Sequence, residues 1–259
     1  MRRALVLAGL GSLVAVTLLA IEPRPREEEP APAEPGATGS GLPRPARLPA
    51  AADGLDPPEE LFSQSPADRC HALGVATLAG SLKPAARDAA VDLLEQAVAA
   101  DPAGRRYKLD LADAYMFLGD EVAVGMAIDL YEEFLDDEPE HDAVLGRLAL
   151  AYLQMGNDEA AFSTLARRAA GAKANLRATA LQLAATGLET GDLARAAQEV
   201  AKIADRRPDE PLVKLVLAML RSDSGRRAEA TELVDQLIAD LPAGSPLADA
   251  ARELKARIR

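Results

Sequence analysis

One interval recurs through the second half of the chain. Glycines stand at Gly119, Gly156, Gly191 and Gly225, spaced 37, 35 and 34 residues, and prolines at Pro102, Pro139, Pro208 and Pro242, spaced 37, 69 and 34. Two independent punctuation marks therefore share a period of about 34 residues. A unit that short cannot bury its own apolar face and must stack on copies of itself. Between the marks, Leu111, Leu148, Leu183 and Leu217 are each followed by alanine (Ala112, Ala149, Ala184, Ala218). After the glycines come Ala127, Ala161, Ala196 and Ala230, and four residues on Tyr131, Leu165, Val200 and Val234. This pattern predicts a helical hairpin per unit. The glycine ends the first helix in the left-handed conformation, small residues let the two helices approach, and the proline stops the second.

These positions resemble the tetratricopeptide repeat (TPR). The family's aromatic on the first helix is matched by Tyr115 in "LADAYMFLG" and Tyr152 in "LALAYLQMG", whereas the later units have Gly187 and Arg221 there. A degenerate earlier unit is expected over residues 68–102, where Ala90, Leu94, Ala97 and the "ADP" at 100–102 match a second helix. The resemblance covers about residues 68–242. It implies an all-α, right-handed superhelical solenoid of four to five hairpins. The stretch "SPLADAARELKARI" after Pro242 reads as an amphipathic capping helix with Leu247, Ala251 and Leu254 on one face. Two units depart from the pattern. Eight residues separate Gly119 from Ala127 where the other units have five, which predicts a three-residue insertion lengthening that hairpin turn. The Gly156 unit ends in "RRAAGAKAN", without its proline.

The N-terminal quarter has a different character. Residues 4–21 are uncharged and apolar behind Arg2 and Arg3, which suits a membrane-spanning signal anchor with the N-terminus inside, or a cleaved signal peptide. Residues 22–60 hold ten of the chain's 18 prolines and form an extended linker. The expected organisation is thus 1–21 as signal anchor or signal peptide, 22–60 as a disordered Pro-rich linker, and 61–259 as the repeat domain. This layout resembles bacterial envelope TPR proteins. It implies a domain displayed on the periplasmic side of the cytoplasmic membrane, or released to the periplasm if the leader is cleaved.

Charge and composition remove other classes. The net charge of -12 argues against a nucleic-acid binder, and one cysteine against a disulfide scaffold. Residues 105–141 carry -8 while residues 142–259 carry +1, so the acidity of the repeats is concentrated in one early unit. The run Asp136, Asp137, Glu138, Glu140, His141, Asp142 lacks the glycine-centred spacing of a calcium loop and reads as a solvated acidic face, with Asp120, Asp129, Glu132 and Glu133 extending it. With only two histidines, most His-based metal sites and triads are removed. Cys70 directly precedes His71, and neighbouring helical residues project about 100° apart, a poor geometry for a nucleophile and its base. Cys70 reads as a packed thiol, ahead of an intermolecular disulfide or a nucleophile. Nucleotide, hydrolase and zinc-protease motifs do not occur, and no metal or other cofactor is expected.

The resemblance implies that the first helices line a concave groove that takes up peptides or helices. By the repeat register the groove residues are Met116, Phe117, Leu150, Leu153, Leu181, Leu188, Leu215 and Met219, with Asp113, Gln154, Gln182 and Glu189 among them. Part of this stripe must also pack between neighbouring helices. The basic and Asn side chains of carboxylate-clamp repeats are not seen there, so the groove suits an amphipathic helix or hydrophobic peptide. The expected function is a non-enzymatic protein-interaction scaffold. The alternatives are a chaperone-like holder of exported clients such as apocytochrome c, a self-associating spacer, and the regulatory region of an enzyme.

Overall fold

The computed structural model describes residues 65–80 and 83–258. The anchor at 4–21 and the linker at 22–60 lie outside the described residues. Among the described residues there are eleven α-helices and no strands. They form five consecutive hairpins: α1 (Pro66–Gly80) with α2 (Pro84–Ala100), α3 (Arg105–Leu118) with α4 (Glu121–Asp137), α5 (Asp142–Gln154) with α6 (Asp158–Ala170), α7 (Leu176–Thr190) with α8 (Leu193–Arg206), and α9 (Pro211–Asp223) with α10 (Arg227–Asp240). A final helix, α11 (Pro246–Ile258), follows. Each helix packs on the next in sequence and several first helices touch the first helix of the next hairpin, as a stacked solenoid requires. The degenerate first unit is a true hairpin, with Ala90, Leu94 and Ala97 fully buried. At the other end Ala251 and Leu254 of α11 are buried and Leu247 packs against the same apolar cluster, while Asp249, Arg252, Glu253 and Arg257 face water.

The repeat glycines do what their spacing predicts: φ is +75° at Gly119, +70° at Gly156, +81° at Gly191 and +87° at Gly225. Behind three of them an Asx side chain caps the next helix. Asp120 accepts from the amides of Val122 and Ala123, Asn157 from Ala160, and Asp192 from Arg195. One residue to end a helix and one to start the next suffices for the turn. Pro102, Pro139, Pro208 and Pro242 each follow the end of a second helix by two residues. The paired small residues are buried at the helix contacts, with Ala112, Ala127, Ala161, Ala196, Ala218 and Ala230 at zero exposure.

The predicted insertion is corrected. The turn after Gly119 is no longer than the others, since α4 begins two residues after the glycine as α6, α8 and α10 do. The extra residues are inside α4, which has 17 residues against 13 for α6 and 14 for α8 and α10. Three residues are nearly one helical turn, so both Val124 and Ala127 remain on the buried face and the stack is undisturbed.

The unit without a proline has another device. Arg168, at 8% exposure, stands twelve residues after Gly156, where Ile203 and Leu237 stand after their own glycines and are buried. Its Nε and Nη2 donate to the two carboxylate oxygens of Asp142 at 3.0 and 2.7 Å, and its Nη1 donates to Gln182 Oε1 at 2.7 Å. The amide of Asn175 donates to Asp142 at 2.9 Å, and Arg167 Nη2 donates to the Pro139 carbonyl at 2.6 Å. The turn between α6 and α7 is thereby tied to the turn between α4 and α5, which replaces the backbone stop that a proline would give.

Candidate functional site

Two polar contacts link the first helices α3 and α5. Arg147 Nη1 on α5 lies 3.1 Å from Asp113 Oδ2 on α3, and Gln154 Nε2 at the end of α5 donates to the Gly119 carbonyl at 3.2 Å. Residues three and four apart share a helix face, so between these two contacts lie Met116 and Phe117 on α3 and Leu150 and Leu153 on α5. Phe117 is 57% exposed and Leu150 49%, while Met116 and Leu153 are half-buried. The two linked helices thus carry an exposed aromatic and an exposed leucine, each with a partly covered apolar side chain on the same stretch of helix.

The rest of the predicted groove divides otherwise. Leu215 is buried at 1% and belongs to the C-terminal core, which corrects its placement on a binding surface. It lies ten residues before Gly225, on the flank of α9 that faces the neighbouring helices, whereas Leu150 lies six before Gly156. Leu181 packs against the central core cluster and Met219 against the C-terminal one. Leu188 is half-buried and Glu189 exposed on α7. The polar members are engaged within the fold. Gln182 Nε2 donates to the Gly146 carbonyl at 2.6 Å while its Oε1 accepts from Arg168, and Gln154 holds Gly119. Asp113 accepts from Tyr131 at 2.5 Å and pairs with Arg147. The twelve-residue stripe expected over four hairpins contracts to the four apolar residues on α3 and α5.

Tyrosines tie α3 and α5 to the neighbouring helices, which spacing alone did not reveal. Each of the chain's four tyrosines donates its hydroxyl to a carboxylate: Tyr107 to Asp68, Tyr115 to Glu95, Tyr131 to Asp113 and Tyr152 to Glu132. Tyr115 and Tyr152 use the repeat's aromatic position to reach the preceding second helix. Burial, then the neighbouring carboxylate, pushes the Tyr152 phenol up to about 12. The Tyr115 and Tyr131 phenols are raised further for the same reasons. All three remain proton donors at neutral pH. Burial also raises the Asp113 carboxyl, and the Tyr131 hydroxyl and Arg147 offset only part of this.

The acidic run is largely paired. Arg105 bridges Asp137 and Glu138, Lys108 lies 2.7 Å from Glu133, and Asp142 is held by Arg168. Among the described residues no group of three or more His, Cys, Asp or Glu side chains is placed to hold a metal ion. The ring nitrogens of His71 face Asp110 and Arg106 on α3, and Cys70 is a half-buried free thiol packed on the N-terminal cluster. Among the described residues no helix is long and apolar enough to cross a membrane.

No protein-family profile and no curated protein sequence matches the chain. Solved structures do. A MamA protein superposes with a TM-score of 0.50 at 17% identity, over 74% of this chain and 94% of that one. MamA residues 41 to end from Desulfovibrio magneticus RS-1 give 0.50 at 16% identity, over 68% and 95%. The nearly identical TPR-like repeats of a putative kinesin light chain from Podosopora anserina give 0.50 at 21%, over 68% and 96%. At these identities the likeness is one of fold, and it coincides with the hairpins, left-handed glycines and buried alanines described above. The described part of the chain has the tetratricopeptide-repeat fold.

Proposed function

We propose that the chain is a non-enzymatic protein-interaction scaffold whose contact surface is the patch formed by Met116, Phe117, Leu150 and Leu153. One observation carries this reading: Phe117 and Leu150 stay exposed on two helices linked by polar contacts, while most apolar side chains of the first helices are covered. Burying an exposed Phe or Leu side chain contributes about 1.5–3 kcal/mol each, enough for these two to dominate a modest interface. The occupant this surface suits is the apolar face of a helix or an extended hydrophobic segment. In this reading residues 4–21 hold the chain at the cytoplasmic membrane and residues 22–60 extend the repeats on the periplasmic side. Protection of the repeats from added protease in intact cells, and their cleavage once the outer layer is opened, tests that placement.

The surface is tested with the full chain carrying Phe117→Lys and Leu150→Lys together. Leu181 is unsuitable as a probe because it packs on the core. The control is Val122→Lys, an equally drastic change at a side chain that is 68% exposed on α4. A partner that co-purifies with the wild-type chain and with Val122→Lys is expected to be lost from the double variant, with affinity down by about a hundredfold or more. Retention of the partner by the double variant removes the patch from the interface.

A further inference from the structure

A second feature lies elsewhere on the solenoid. A cleft of about 790 Å³ opens between the fourth and fifth hairpins, where the first half of α8 faces the end of α9 and the α9–α10 turn. Its origin is legible in the repeat register. Ala197, six residues after Gly191, lines the cleft where the preceding unit places Phe162, six after Gly156. Arg221, four residues before Gly225, lines it where earlier units place Tyr115 and Tyr152. Ala201 follows Val200 as Glu132 follows Tyr131, so the carboxylate that receives the Tyr152 hydroxyl has no counterpart at this interface. Small residues and a guanidinium group stand where Tyr115 and Tyr152 close the two earlier joints.

The charged groups of the cleft are not equally satisfied. Arg195 donates twice to Glu159, at 2.6 and 2.9 Å, and its guanidinium lies 4.6 Å above the Phe162 ring. Asp192 caps α8, and Glu199 pairs with Lys202 at 2.7 Å. Arg221 and Arg226, in contrast, share the single carboxylate of Glu229, with Arg221 Nε at 3.4 Å and Arg226 Nη1 at 3.8 Å. Two guanidinium forks present more N–H donors than one carboxylate at ion-pair distance can satisfy. Arg221 is also held in a sheltered position, its side chain 24% exposed.

We propose that this cleft binds a small oxyanion, a carboxylate or phosphate group seated across Arg221 and Arg226. Hydrogen bonds from arginine forks to either group are charge-assisted and bidentate, and so stronger than those from neutral donors. The test is calorimetric titration of the full chain with succinate and, separately, inorganic phosphate at constant ionic strength, which tells a carboxylate ligand from a phosphate one. At least one is expected to saturate a single site. Arg221→Gln is expected to weaken that binding by about tenfold or more, the loss of a charge-assisted pair. Ala194→Glu, an exposed change on the cleft wall that leaves both arginines in place, is expected to weaken it as well, whereas Arg257→Gln, on an exposed arginine outside the cleft, leaves it unchanged. Absence of a saturable site for both anions, or unchanged affinity in Arg221→Gln, overturns the proposal. So does a loss in Arg221→Gln accompanied by a lowered melting temperature while Ala194→Glu binds normally.

Discussion

An Arg168→Met chain is expected to lose about 3 kcal/mol of stability, read as a lower urea midpoint at unchanged slope. The methionine fills much of the arginine's volume, so the loss comes from what it leaves behind. Asp142 keeps its charge in a half-buried position without the two guanidinium bonds, and Gln182 loses the donor to its Oε1. Adding Asp142→Asn to Arg168→Met is expected to recover most of the loss, because the neutral amide carries no uncompensated charge and its oxygen still accepts from Asn175. A single variant as stable as the wild type would reduce the clamp to an ordinary surface pair.

The same pair fixes a pH dependence and its sign. Burial alone raises the Asp142 carboxyl, but the Arg168 hydrogen bonds, the Asn175 amide and nearby positive charge outweigh it and hold the carboxyl below the usual range. A carboxyl lowered in the folded state contributes stability that is present above its unfolded value and is lost as pH falls through its folded value. The gap between wild type and Arg168→Met is therefore expected to be full at neutral pH and to narrow below about pH 4. In a stack where each hairpin touches only its neighbours, weakening one joint also uncouples the two sides. Amide exchange in the variant is expected to rise first in α6 and α7, with the hairpins on either side still protected.

How far the sequence reaches depends on whether a residue encodes its conformation locally. Glycines and prolines do, and the hairpins, their order and the capping helix follow from them. Counting residues between Gly119 and Ala127 cannot say whether three extra residues enter a turn or a helix. The signal that decides it was present: Asp120, Asn157 and Asp192 directly follow their glycines, and an Asx residue there marks the first turn of a new helix. Groove residues are harder, because Leu150 and Leu215 are the same side chain and differ only in which neighbour covers them. Their different distances from the repeat glycine carry that information, but only once the faces of the helix are known. Arg168 hides best. An arginine reads as surface until it is noticed that it fills a slot occupied by Ile203 and Leu237 in the next two units, in the one unit that lacks its closing proline. The cleft shows the same logic from the other side, as a place where the slot is left empty.

Gly187 occupies the position that Tyr115 and Tyr152 hold in the second and third hairpins, and two glycine-to-alanine changes of opposite sign test why. In a helix interior such a change ordinarily stabilises by about 1 kcal/mol, since alanine loses less backbone entropy on folding. At Gly125 in α4 an added Cβ meets nothing within 4 Å, so Gly125→Ala is expected to show that gain. At Gly187 an added Cβ would stand 2.4 Å from the Cβ of Ala196 and 3.3 Å from the Asp192 carbonyl. Both carbons sit directly on their backbones and no rotamer relieves them, so α7 and α8 must part, opening the core around Leu183 and Val200. The overpacking cost exceeds the propensity gain, and Gly187→Ala is expected to destabilise by about 1–3 kcal/mol. Removing the opposing carbon provides the decisive control. Ala196→Gly costs stability alone through backbone entropy, yet in the Gly187→Ala background it is expected to restore it, a coupling of about 1–3 kcal/mol in denaturant midpoints. Additive effects of the two changes would mean that the hairpin yields elsewhere, and that the closeness of α7 and α8 at this joint is not what keeps an aromatic out.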